Sequence, residues 1–106
     1  MKFEVIWSDF ASECLDDIFK YYSSHASEKV AYKLIRSIIN EARILDSNPF
    51  VGQPEPLLAD RPKIYRYLIY KNYKIIYSVS EYEKIVKVHD VFDARQNPEK
   101  LADRNS

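Results

Sequence analysis

Five basic side chains (Arg61, Lys63, Arg66, Lys71 and Lys74) fall within a segment that holds four tyrosines and no acid. Cations at that density suit a phosphate- or carboxylate-bearing surface. The tyrosines Tyr65, Tyr67, Tyr70, Tyr73 and Tyr77 suit a half-buried strand, and any that share an exposed face with Arg66 or Lys74 are able to stack on bases. His89, beside Asp90, is the side chain with the best intrinsic proton affinity for acid–base work near neutral pH. Such work needs a phosphate or ribose hydroxyl within reach; a hydrogen-bonded strand histidine needs neither. Cys14 lies in a helical pattern with no base near it in sequence and reads as a core filler. Asp16 and Asp17 are adjacent on the same helix, point apart and read as a solvated face, and His25 reads as surface. The chain has no Gly-rich phosphate loop, metal-ligand spacing or nucleophile elbow, so neither a cofactor nor a metal is expected.

These side chains need a scaffold, and the pattern of the chain supplies one. Its 106 residues carry a formal net charge of zero and fit a single domain, 1–106, in which 94–106 reads as a flexible tail. The charge is unevenly spread: residues 1–28 carry six acids against two lysines. No apolar run reaches membrane-spanning length and no signal-peptide pattern is seen, so a cytoplasmic protein is expected. Phe3 to Trp7 reads as a strand, and Ser8 as the cap of a helix with Ala11, Leu15, Ile18, Phe19 and Tyr22 at helical spacing. Ser27 reads as the cap of a second helix that Asn48-Pro49 ends. Residues 48–63 read as a loop, followed by a hairpin of strands Ile64–Tyr70 and Tyr73–Ser80 joined at Lys71-Asn72. A last strand runs from Lys84 to about Phe92, where the step from Val88 to Val91 breaks the alternation and predicts a bulge or the strand's end. The expected fold is α+β, in the order β-α-α-β-β-β, with a helical hairpin on one face of a mostly antiparallel sheet.

Several segments in this order resemble the RelE/ParE toxin superfamily over roughly residues 3–98. They are Trp7-Ser8 between strand and helix, Pro49-Phe50-Val51-Gly52, Tyr65-Arg66-Tyr67-Leu68, Asn72-Tyr73-Lys74-Ile75-Ile76-Tyr77, and the run from Ile85 to Pro98. The resemblance implies the toxin half of a bacterial type II toxin–antitoxin pair, neutralised by a small antitoxin in a hetero-oligomer. RelE-like members cleave mRNA on the ribosome, whereas ParE-like members inhibit DNA gyrase. By position, Arg66, Lys74 and Arg95 match the superfamily's basic sites, while Tyr65 and Tyr67 stand where the RelE group holds paired lysines. The tail after Arg95 has no Tyr or His. Metal-free RNA cleavage needs a base at the 2′-hydroxyl, cations at the phosphate and an acid for the leaving oxygen. The candidate set for it is Arg66, Lys74, His89 and Arg95; a target-binding surface would use Arg61, Lys63, Arg66, Tyr67, Lys71, Lys74 and Arg95. The expected function is ParE-like inhibition by binding a target such as DNA gyrase, with no catalysis; the alternative is a RelE-like ribosome-dependent mRNA endonuclease.

Overall fold

The computed structural model describes residues 2–105, so the end residues Met1 and Ser106 of the expected domain lie outside it. Strand β1 (Glu4–Trp7) leads into helix α1 (Asp9–His25), and α2 (Glu28–Arg43) returns antiparallel to it. Both helices start where the caps were expected. The Ser8 hydroxyl accepts from the Ala11 amide and that of Ser27 from the Val30 amide, satisfying amides the first turn leaves free. A single 3-10 turn, Ile44–Asp46, carries α2 to Pro49. The rest is β2 (Gln53–Pro54), a 3-10 turn at Pro56–Leu58, β3 (Arg66–Tyr70), β4 (Tyr73–Ser80), β5 (Ile85–Asp93) and α3 (Pro98–Arg104).

The sheet has five strands in the order β1-β5-β4-β3-β2. All neighbours are antiparallel except β1 and β5, where Glu4 pairs with Ile85 and Trp7 with Val88. Alternation along β4 sends Tyr73, Ile75 and Tyr77 to one face and Ile76 to the other. The first face packs with Val86, Val88 and Val91 against Ala11, Cys14, Ile38 and Ala42 of the helical hairpin. The second face has its own smaller core, in which Ile76 and Phe92 meet Leu58 and Leu101, flanked by Tyr65 and Tyr67.

Two expectations change and one is settled. The loop 48–63 contains β2, whose Gln53 and Pro54 pair with Tyr67 and Arg66 and lengthen the sheet by one strand, and strand β3 begins at Arg66 instead of Ile64. The tail 94–106 is no free end: Asn97 caps α3, Pro98 opens it, and Leu101 is fully buried. Burying one leucine is worth about 2 kcal/mol, enough to seat a short helix with the help of its polar contacts. Of the two readings of the break in the last strand, the bulge holds, and β5 continues past it to Asp93. Val88 pairs with Tyr77 and Asp90 with Ile76, leaving His89 as the extra residue, and this returns both Val88 and Val91 to the helix-facing core.

Candidate target-binding face

Most cations of the basic segment are held by the chain itself. The Lys74 ammonium sits 2.7 Å from the Glu55 carboxylate and over the Tyr67 ring at 4.5 Å. Glu55 has a side-chain exposure of 0 %; its other oxygen accepts from the Leu57 amide, so it caps the Pro56–Leu58 turn. Arg66 donates to the Gly52 carbonyl at 2.9 Å and lies over the Phe50 ring, fixing the segment that precedes β2. Arg61 donates to the Ala102 and Asn105 carbonyls, closing the C-terminal end of α3, and pairs with Asp60.

Gly52, the one glycine of the chain, sits where nothing larger fits. Its amide donates to the Tyr77 hydroxyl at 2.9 Å, and a Cβ there would lie 2.6 Å from the Tyr67 carbonyl oxygen. The buried Tyr77 hydroxyl thus anchors the loop through a backbone contact; burial pushes its pKa up.

The bulge places His89 half-buried on the sheet. Its Nε2 is 2.7 Å from the Ser78 hydroxyl, and the Tyr65 ring meets its own edge-on. Burial lowers its pKa to about 4, with the positive charges of Lys63 and Lys87 acting in the same direction. It is neutral at physiological pH. Next to it, Asp90 is fully buried and accepts from Arg104 at 2.8 Å and from Asn105 at 2.9 Å. Arg104 also lies over Phe10 and Phe92, so this ion pair latches α3 to the sheet and to the start of α1.

At the hairpin end of the sheet, Arg95 forms two bonds to Asp93, whose pKa is held down at about 2 by the guanidinium hydrogen bonds. Arg95 remains 67 % exposed in its side chain, and the Ala94 amide ties this segment to the carbonyl of Asn72 in the β3–β4 turn. Arg95 therefore shares one end of the molecule with Lys71, which is exposed and takes a left-handed φ of 54°. The two border a cavity of about 370 Å³ that Arg95 lines with Asp17, Tyr21, Tyr22, Tyr73 and Gln96 on one side, and a smaller one of about 250 Å³ that Lys71 lines with Tyr22, Val30 and Tyr70 on the other.

Of the expected residues, the structure thus groups Lys71 with Arg95 at one end, and Lys74 with Tyr67 on the second face, with Arg66 anchored to the loop before β2. Lys63 is exposed and felt by His89, and Arg61 serves the end of α3. Glu55 and Asp90 were not singled out in the sequence. A Glu directly before a Pro-led turn was the available signal for the first, and Asn97-Pro98 for the helix that latches onto the second.

Over residues 5–98 the sequence matches the family profile of the ParE toxin of the type II toxin–antitoxin system parDE. The chain belongs to the ParE toxin family. The match spans α1, α2, all of the sheet but Glu4, and the first residue of α3, so the toxin function of a type II toxin–antitoxin system rests on nearly the full fold. One chain of the solved chromosomal ParDE toxin–antitoxin system from P. aeruginosa has the same fold as this ParE-family toxin. Its TM-score is 0.70 at 18 % identity, covering 86 % of this chain and 95 % of that one. No curated protein matches the sequence. Among the described residues of this ParE-family chain, no helix is long and apolar enough to cross a membrane.

Proposed function

We propose that this ParE-family toxin inhibits growth in the cytoplasm by binding a protein target, DNA gyrase, without cutting RNA. One observation carries the reading: the candidate cleavage residues are occupied within the chain. Lys74 neutralises the buried Glu55, Arg66 holds loop carbonyls, Arg95 pairs with Asp93, and His89 is a half-buried neutral base bonded to Ser78. A cleavage site needs its cations unspent and its proton carrier facing the phosphate. Binding asks less, because exposed Lys63, Lys71 and Arg95 with Tyr67 suffice to meet an acidic partner surface. The same surface suits a small, acidic cognate antitoxin, and the ParDE system of the P. aeruginosa neighbour supports a toxin–antitoxin hetero-oligomer for this chain as well.

A supercoiling assay with purified gyrase tests the target. Inhibition by micromolar toxin, relieved by the antitoxin encoded beside it, is the expected result; unimpaired supercoiling at that concentration refutes gyrase as the target. Mapping mRNA 5′ ends after induction tests the mode of action. Codon-phased cuts would establish the RelE-like endonuclease instead.

A further inference from the structure

The outer face of the helical hairpin has no role in the site described above, and its charges are sorted by helix. At 100° per residue, Asp9, Glu13 and Asp16 of α1 fall within about 60° of one another, facing away from the buried Ala11 and Cys14. On α2, Lys29, Lys33, Arg36 and Arg43 fall within about 80°, opposite the buried Ala31, Ile38 and Ala42. All seven side chains are exposed, and among the described residues none of them enters an ion pair. Between the two stripes runs an apolar seam of Leu15, Phe19, Tyr32 and Ile35, with Tyr32 at 59 % exposure.

We infer that this face binds a second copy of the chain. The Phe19 and Tyr32 rings meet at 4.9 Å, which sets the levels of the antiparallel hairpin. It puts Asp16 level with Arg36 and Asp9 level with Arg43. A two-fold axis running along the seam lays α1 of one copy over α2 of the other at the same levels. Asp16 then meets the partner copy's Arg36, Asp9 meets its Arg43, and both pairs occur twice because the contact is isologous. The apolar seams meet on the axis, and Lys20 is the one α1 residue that interrupts the acidic stripe. A polyanion fits worse, since anything lying on the α2 cations also meets the α1 acids about one helix diameter away, within roughly a Debye length. A surface that carries both signs in separate stripes is complementary to itself. This self-pairing does not depend on which target the toxin inhibits.

Sedimentation velocity of the purified chain, at concentrations up to about 100 μM as weak interfaces require, tests it. The expected result is a dimer that weakens as salt is raised. Asp16→Arg and Arg36→Glu should each reduce dimerisation by at least about tenfold, by facing like charges across the interface. Circular dichroism confirms that each variant is folded. An equimolar mixture of the two variants should recover the dimer. In the mixed dimer the introduced arginine of one variant faces the introduced glutamate of the other, and the remaining native Asp16 faces the remaining native Arg36. The inference is overturned by a wild-type chain that stays monomeric at low salt, by a dimer indifferent to either reversal, or by a mixture that fails to recover it. A wild-type monomer whose hairpin variants lose the antitoxin would instead assign this face to the antitoxin.

Discussion

Replacing Lys74 by methionine should destabilise the toxin far more than replacing its partner. Methionine keeps the stem of Lys74 but removes the ammonium that sits 2.7 Å from a carboxylate with a side-chain exposure of 0 %. Glu55 is then left with the Leu57 amide at 3.2 Å as its remaining donor. Stranding a buried charge in this way costs about 3–5 kcal/mol. Lys74 itself keeps 20 % side-chain exposure, so water can approach the vacated position, and the lower end, about 3 kcal/mol, is expected. Losing the cation over the Tyr67 ring adds roughly 0.5–1 kcal/mol. The reverse change, Glu55→Gln, keeps the acceptor for Leu57 and a hydrogen-bonding partner for Lys74, whose ammonium reaches solvent; it should cost about 1 kcal/mol. The double variant removes both charges and should fall well short of the sum, with a coupling of about 2 kcal/mol. Urea titration followed by the fluorescence of Trp7, the chain's only tryptophan, reads all three. In thermal scans a loss of about 3 kcal/mol corresponds to a midpoint lower by roughly 12–20 °C for a domain of this size. Equal costs for the two single variants, or costs that simply add, would refute the claim that Lys74 serves chiefly to neutralise Glu55.

His89 makes stability depend on pH. Its folded pKa of about 4 lies below the ordinary 6.5, so between these values the unfolded chain binds the extra proton. The contribution is complete above about pH 6.5 and is lost as pH falls towards 4; the thermal midpoint should drop through this window more steeply in the native chain than in His89→Gln. Gly52→Ala should cost about 1–3 kcal/mol, because its Cβ meets a backbone carbonyl oxygen that cannot swing aside. Tyr77→Phe leaves the Gly52 amide without its acceptor and should cost about 1–2 kcal/mol; a denaturation midpoint unchanged in both variants would mean that the loop is not anchored there.

The two helices were legible because each is fixed locally, by Ser8, Ser27 and a long apolar stripe. The antiparallel strands were legible by alternation, and even the bulge left its mark as two valines out of phase. What escaped detection depended on distant partners. β2 is two residues long and contains Pro54, so it has no period to read and exists because β3 offers it an edge. α3 holds a single buried apolar residue, Leu101, and reads as a polar tail until Leu58, Phe92 and the Asp90–Arg104 pair are brought to it. The basic hairpin read as a free cationic surface for the same reason. Glu55 lies 19 positions before Lys74, and nothing in the local sequence shows that it spends that charge.

The parallel pairing of β1 with β5 sets a timetable for the newborn toxin. Strand β1, made before the other four, has β5 as its one hydrogen-bonded neighbour in the sheet, with Val5 waiting for Val86 and Ile6 for Lys87. Helix α1 seats Cys14 beside Asp90 and Val91 of the same late strand. A chain still short of residue 85 can form its helical hairpin but has nothing to close it against. The toxin cannot reach its finished shape until its chain has been made through β5, and that delay gives an antitoxin time to be ready.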